Sequence, residues 1–308
     1  MRYCFIVNPN SRSCHGLHLW QEAASILNYK QIEYKVFFTE YQGHAMTLAK
    51  QIANFQQPCI LGVLGGDGTL NEVINGLMDT DFSHITLGYI PTGSGNDFAR
   101  GLGLTTDVRS CVERLLNPSE IVSLDIGQTR TPDFSRYFLV SSGIGYDAGI
   151  CAEVSVTPMK KFFNRLGLGK LTYVVVALKQ LIAYTPCPIT LRVDHEEVFH
   201  FPMFFFLAAM NLQYEGGGAK FCPDASYDDE LLDFCLLGKL SKWKVLTLFP
   251  TAFFGKHILF KGVHIKRCHH MEVITKKPLP IHCDGEVLGN VNQVTFTLSE
   301  KKLKTIKR

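Results

Sequence analysis

No pair among the ten cysteines of this 308-residue chain has the C-x-x-C spacing. Zinc ribbons and redox dithiols are therefore not indicated, and reduced thiols are the expectation. One cluster, Cys268-His269-His270 with His282-Cys283, has metal-ligand residue types. Neighbours on a strand face opposite sides, so the cluster is read as structural. Long apolar runs are also missing. Leu171–Tyr184 is broken by Lys179 and Gln180, and Met203–Met210 is short. Neither reaches the roughly 18 uninterrupted apolar residues of a membrane span. The about five apolar residues before Asn8-Pro9 are too few for a secretion signal. Charge of one sign is scarce too: 31 basic against 28 acidic residues leave +3, too little to argue for nucleic acid. No internal repeat or low-complexity linker occurs. The expectation is a soluble, cytoplasmic protein of about two domains, with an ordinary globular balance of 46% hydrophobic and 19% charged residues.

What is present is a pair of glycine-rich segments, each carrying an aspartate. The first, Gly65-Gly66-Asp67-Gly68-Thr69-Leu70-Asn71-Glu72, follows the apolar run Cys59–Leu64. It opens a helical pattern with Leu70, Val73, Ile74 and Leu77 on one face. The second is Pro91-Thr92-Gly93-Ser94-Gly95-Asn96-Asp97-Phe98-Ala99-Arg100. A strand, a glycine turn and a helix start aim main-chain N–H groups at an anion. A carboxylate in such a cradle repels phosphate unless a divalent cation lies between them, so the pattern points to metal-bound polyphosphate. Gly65, Gly66, Gly68 and Thr69 would form the cradle, with Asn71 and Glu72 in the first helical turn still facing the ligand. Read alone, the first segment is equally a strand-to-helix turn with Thr69 as its cap. Two such loops after successive strands favour the functional reading.

The first ~120 residues alternate strand and helix. Strands are expected at Tyr3–Asn8, Tyr34–Thr39, Cys59–Gly65 and Thr86–Ile90, with helices around Leu17–Leu27, His44–Phe55, Leu70–Met78 and Cys111–Leu116. Parallel strands bind ligands at their carboxyl ends, where Asn8, Thr39, Gly65 and Thr92 fall. Beyond Leu124 short strands dominate: Ser123–Gly127, Arg136–Ser141, Pro188–Val193, Phe201–Met210, Leu231–Leu237, Val263–Ile265, Met271–Thr275 and Gln293–Leu298. Helices are expected at Leu171–Tyr184 and Lys242–Phe254. The fold class is thus α/β: an N-terminal doubly wound parallel-sheet nucleotide-binding domain over residues 1–123, then a β-sandwich domain over 124–298, with the active site in the cleft between them. The tail from about residue 299 is placed as a return to the first domain.

These motifs, with Asn8-Pro9 closing the first strand and Thr39 leading to Gly43-His44-Ala45, resemble the diacylglycerol kinase catalytic fold. The similarity is to the soluble bacterial diacylglycerol and related lipid kinases, relatives of sphingosine and ceramide kinases. It spans nearly the whole chain. The resemblance implies ATP and Mg²⁺ as cofactors, with Asn8, Ser11, Thr39, Thr92, Gly93, Ser94 and Asn96 joining the cradle and with Asp67 and Asp97 organising the magnesium-phosphate network. It also implies a structural magnesium held by Asp229 and the carbonyls of Ser226 and Leu231. The family has glycine where this chain has Glu230, and an acidic solvated turn is the alternative reading. In the turn Asp284-Gly285-Glu286 the resemblance places the general base at Glu286, with Asp284 beside it or on magnesium. Read alone, that turn is a hairpin. Arg12 stands where the family has a small residue, either reaching a phosphate oxygen or facing water. Arg100 is read as an anchor for Asp97.

The expected reaction is transfer of the γ-phosphate of ATP to a lipid hydroxyl, diacylglycerol giving phosphatidic acid, as in phospholipid biosynthesis. An NAD kinase-like enzyme and an inactive lipid- or nucleotide-binding regulator are the alternatives. The lipid would be met at a membrane surface by transient peripheral association, with a homodimer also possible. Lys160, Lys161, Phe162, Phe163, Arg165 and Lys170 are the candidate cationic, aromatic edge, whereas Phe204–Phe206 are expected in the core.

Overall fold

The computed structural model describes residues 2–157 and 169–308, which form two compact units. The first comprises Met1–Leu124 with Glu300–Arg308, the second Asp125–Ser299. The segment from Lys160 to Arg165 lies outside the described residues, as does the Lys170 side chain.

In the first unit β1 (Arg2–Val7) leads through α1 (Ser11–Cys14) and α2 (Gly16–Tyr29) to β2 (Tyr34–Phe38). Then follow α3 (His44–Ala53), β3 (Cys59–Gly65), α4 (Asp67–Met78), β4 (Ile85–Pro91), α5 (Asp97–Leu102), α6 (Val108–Leu116) and β5 (Ile121–Leu124). The sheet order is β2-β1-β3-β4, continued by the tail strand Leu303–Ile306 and then β5. All pairings are parallel except that of β5 with the tail strand. Every residue of β3 and of β4 is buried. That is why both read as unbroken apolar runs rather than alternating ones: helices cover both faces of a parallel sheet. Strand order reverses at β1, so the carboxyl ends of β1 and β3 form the switch point where a doubly wound sheet opens for a ligand.

The second unit runs β6 (Gly127–Arg130), β7 (Ser135–Phe138), β8 (Ser141–Gly145), α7 (Tyr146–Val156), α8 (Gly169–Ala183), β9 (Cys187–Val193), β10 (Glu197–Phe204), β11 (Phe206–Met210), β12 (Leu232–Leu237) and α9 (Lys242–Ala252). A 3-10 turn (Lys256–Leu259), β13 (Val263–Cys268), β14 (His270–Cys283) and β15 (Glu286–Leu298) complete it, and the tail strand is β16 (Leu303–Ile306). The sheet order is β13-β12-β11-β8-β14-β15-β6-β7, with β9 joining β10 to β14. Strand β14 serves both halves of this sandwich-like unit. Its Met271–Thr275 portion pairs with β9, and Ile281–Cys283 pairs with β8.

Several sequence expectations change. The run Ser123–Gly127 is two strand ends separated by Asp125-Ile126, Arg136–Ser141 is likewise divided, and Phe201–Met210 breaks at Phe205. Met271–Thr275 is only the first part of a strand reaching Cys283, because the lysine and proline interruption is absorbed as a register shift. Helix α7 was not expected: its Gly149 and its valines weaken the helical signal. Phe204, Phe205 and Phe206 are all buried, as expected for the core: Phe204 ends β10, Phe206 opens β11 and Phe205 sits at the bend between them.

Candidate active site

The strand β3 ends at Gly65, and α4 starts at Asp67 with extended Gly66 as its cap residue. First-turn N–H groups of a helix lack intrahelical acceptors, so this end is built to receive an anion. Thr69 is not the cap. Its Oγ1 accepts the Asn8 side-chain amide at 2.9 Å, tying the end of β1 to the start of α4. Ser11 and Thr92 hydroxyls are 2.7 Å apart, linking the β1 and β4 turns. The Thr92 N–H and the Tyr89 hydroxyl both donate to the Gly65 carbonyl, at 2.9 and 3.1 Å. Thr39 is buried and donates its N–H to Val7.

The two glycine loops touch directly. A methyl group on Gly93 would lie 2.8 Å from Gly66 Cα and 2.8 Å from Asn96 Oδ1, and one on Gly65 would lie 2.6 Å from Thr69 Cβ. Side chains there would push the cradle apart. Asn96 adopts a left-handed conformation (φ 53°) and donates to the Gly93 carbonyl at 3.0 Å. Asp67 Oδ2 and Oδ1 accept the N–H groups of Asp97 and Phe98 at 3.1 and 3.4 Å. Arg100 Nε lies 3.6 Å from Asp97 Oδ1, in the anchoring place expected for it. Complete burial, with the Asp67 and Asp97 charges added, pushes the Tyr89 phenol far up, so it stays protonated and donates to Gly65.

Two cradle residues depart from expectation. Glu72 is buried and its carboxylate accepts the N–H groups of Gly43 and Ala45 at 2.8 and 3.1 Å. It caps the start of α3 rather than facing a ligand. Asn71 is likewise buried and accepts from the Asn75 amide. Helical phase turns both side chains away from the glycine turn, Glu72 toward α3 and Asn71 toward the next turn of its own helix. Gly68 is half-buried, whereas Arg12 (φ 49°) and Ser94 are exposed.

In the second unit Asp284 has a structural task. Its carboxylate accepts the N–H groups of Leu139, Val140 and Ser141 at 3.0, 2.9 and 3.0 Å, with φ 47° at its own backbone. Three main-chain donors fasten the β7–β8 link to the turn, so Asp284 acts as a clamp on it. Glu286 opens β15 and is partly exposed, with Arg136 Nη2 3.2 Å from its Oε2. The guanidinium fixes the direction of this carboxylate. Sequence reasoning missed Arg136, which lies 150 residues away.

It also missed what lies beneath the turn. His282 Nε2 is 3.3 Å from both Asp147 Oδ2 and Glu215 Oε1, and all three residues are buried. Burial, reinforced by Glu215 and only partly offset by His282, pushes Asp147 up. The Gly285 N–H donates to His282 Nδ1 at 3.2 Å, which puts the imidazole proton on Nε2. A metal on Nε2 would need that proton moved to Nδ1, against an N–H already pointing there. The cluster is a hydrogen-bonded support for the Asp284–Glu286 turn. His282 and Cys283 do not converge with His269: Cys283 instead contacts the Thr129 and Ser142 hydroxyls.

The acidic segment carries its own cation. Arg267 Nε is 3.3 Å from Asp233 Oδ1, its Nη1 is 3.9 Å from Asp229 Oδ2, and its Nη2 donates to the Asp224 carbonyl. Asp229 Oδ1 accepts the Leu231 N–H at 3.2 Å, and the Ser226 hydroxyl donates to Asp228. With a guanidinium beside it, this turn does not fit the structural magnesium that the resemblance implied. Glu230 takes the left-handed conformation (φ 62°) that glycine would supply, and its N–H donates to Asp125 Oδ2 at 2.8 Å. The Asp67 carboxylate fits a cation better. It stands at the first residue of α4, beside the start of α5, where the two glycine turns meet.

Comparisons with known proteins agree with this geometry. The diacylglycerol kinase catalytic domain model matches residues 2–129, and the YegS C-terminal NAD kinase beta sandwich-like domain model matches residues 141–306. The YtlR protein of Bacillus subtilis is 30% identical over 292 residues, covering 92% of this chain and 93% of that one. A diacylglycerol kinase of the same species is 29% identical over 288 residues, covering 92% and 89%. The crystal structure of a diacylglycerol kinase from Bacillus anthracis str. Sterne has a TM-score of 0.69 at 18% identity, covering 99% of this chain and 96% of that one, a likeness of fold. The two glycine loops, the sandwich-like second unit and a relative at 30% identity lead to one conclusion: the chain belongs to the diacylglycerol kinase-like family of kinases.

Proposed function

We propose that this chain transfers the γ-phosphate of ATP to a lipid hydroxyl, with diacylglycerol as acceptor and phosphatidic acid as product, in a magnesium-dependent reaction. The observation that carries the reading is the contact of the two glycine loops, held by Asp67 across the start of α5. In this reading the main-chain N–H groups from Gly66 to Thr69 bind phosphate oxygens, and Asn8, Ser11 and Thr92 keep the loops in place. Asp67 and Asp97 would hold the magnesium ion, which neutralises charge on the polyphosphate. The acceptor oxygen bonds to the γ-phosphorus as the bond to the bridging oxygen breaks and ADP leaves. Glu286, oriented by Arg136, takes the hydroxyl proton.

The test is transfer of radiolabelled phosphate from ATP to total lipid extract, with mass spectrometry of the product. Labelled phosphatidic acid supports the proposal. Label on another lipid moves the acceptor, and label on NAD alone replaces the reading with a nucleotide kinase. ATP binding without transfer to any lipid would make the chain a binding regulator.

A further inference from the structure

Helix α9 is apolar on two sides. Val245, Leu248 and Ala252, spaced i, i+3 and i+7, are buried in the second unit's core. The opposite side carries exposed Trp243 and Leu246, at i and i+3, and the turn that follows the helix adds exposed Phe253 and Phe254. Trp243 and Phe254 are 78% and 76% exposed, and Leu259 in the following turn is 79% exposed. The end of α8 adds Ile182, whose carbonyl accepts from Lys242 Nζ. Single exposed apolar residues are ordinary, but a connected group of large ones on adjacent elements marks a binding surface.

The charge pattern selects what binds. From Lys239 to Lys261 the chain has five lysines, at 239, 242, 244, 256 and 261, and no aspartate or glutamate. All five are exposed. A second copy docked face to face would set lysines against lysines with no acidic residue in the stretch to offset them. Helix α9 has 11 residues, about 16 Å, so it is far too short to cross a bilayer and suited to lie along one. Aromatic and leucine side chains flanked by lysines match the acyl–headgroup boundary of an anionic membrane.

We infer that the exposed face of α9, with the adjoining 3-10 turn and the end of α8, is the surface by which this protein docks on an anionic lipid bilayer. The inference rests on and deepens the lipid-kinase reading by saying where the acceptor's membrane is met. Trp243 would sit in the interface, and the lysines would face headgroup phosphates, each worth roughly fivefold in partitioning.

The test is co-sedimentation of the full chain, without nucleotide, with vesicles of phosphatidylcholine alone or with a third phosphatidylglycerol. The chain has two tryptophans, and Trp20 is buried, so a vesicle-induced blue shift in emission reports Trp243. Expected are binding to the anionic vesicles that weakens in high salt and a blue shift on the same vesicles. Trp243→Ser with Phe254→Ser should lower binding at least tenfold, and Lys239→Gln, Lys244→Gln and Lys256→Gln together should lower it about a hundredfold. Circular dichroism matching the parent shows that the variants fold. Sedimentation of the Ser variant equal to the parent, no shift on anionic vesicles, or a solution dimer dissolved by that variant would each overturn the inference. Phosphorylation of a dispersed short-chain diacylglycerol without vesicle binding sinks the docking surface alone, whereas vesicle binding without transfer to any lipid sinks only the kinase reading.

Discussion

Asp67, the first residue of α4, accepts the main-chain N–H of Asp97, the first residue of α5, at 3.1 Å. One aspartate therefore fastens two successive glycine-rich turns to each other. This ties the geometry of the cradle to a group that also carries its charge.

Replacing Asp67 should consequently damage two properties together. Asp67→Asn turns one acceptor oxygen into a donor facing the Asp97 or Phe98 N–H. Stability should fall by about 1–2 kcal/mol, the range of a lost helix cap. Turnover should fall by about 10²-fold or more, with weaker ATP binding. Urea unfolding and calorimetric titration with ATP measure both. Weakened binding at unchanged stability would mean that the link to α5 contributes little.

Glu286→Gln removes the proton acceptor but keeps shape and partial contact with Arg136. Turnover should drop about 10²-fold, with ATP affinity little changed. Steady-state kinetics beside nucleotide titration separate the two effects. Full turnover would move the base to another group.

Gly143 leaves the room that the buried cluster occupies. A methyl group there would lie 1.9 Å from Asp147 Oδ2 and 2.6 Å from His282 Nε2. Gly143→Ala should destabilise by about 1–3 kcal/mol or more, since neither side chain has space to retreat. Turnover should fall as well, because the Gly285 N–H rests on His282. Thermal melts and the lipid assay read these effects, and unchanged values in both would show the cluster to be loosely packed.

Asp233 gives a pH signature. Burial raises its pKa to about 6 from 3.8, opposed by Arg267 and aided by Asp229 and Asp224. The folded state then holds this proton more tightly than the unfolded chain. Its contribution to stability therefore declines as pH rises through about 4 to 6 and levels off above. The stability of the parent relative to Asp233→Asn should fall by about 1–3 kcal/mol over that window. Urea titrations at several pH values measure it, and a difference independent of pH would refute the buried proton.

Glu230→Gly tests the strained turn. With φ at 62°, glycine should relieve a left-handed side chain and stabilise by about 0.5–1 kcal/mol. A loss of stability would show that Glu230's own contacts outweigh the strain.

Local chemistry was readable from the chain wherever function depends on neighbours in sequence. The apolar runs of β3 and β4, the glycine turns after them and the helical face led by Leu70 stand in the structure where their spacing placed them. Glu72 and Asn71 were misjudged because helical phase, not distance from the glycines, decides which side they face. The sandwich strands were read less well, since β14 switches partners halfway and its interruption looks like an end. Helix α9 was found, but its second apolar side was not, because composition alone cannot show which face is covered.

By itself the sequence determined the cradle, since glycine, aspartate and a helix start need only each other within a few residues. Tertiary structure alone decided how distant groups are used: Asp284 as a clamp on residues 139–141, Arg136 opposite Glu286, Arg267 within the acidic turn, and Asp147 and Glu215 around His282. These partners lie from dozens to about 150 residues apart along the chain. Their pairing follows from strand register, and register is set by packing of the whole sheet rather than by any local pattern.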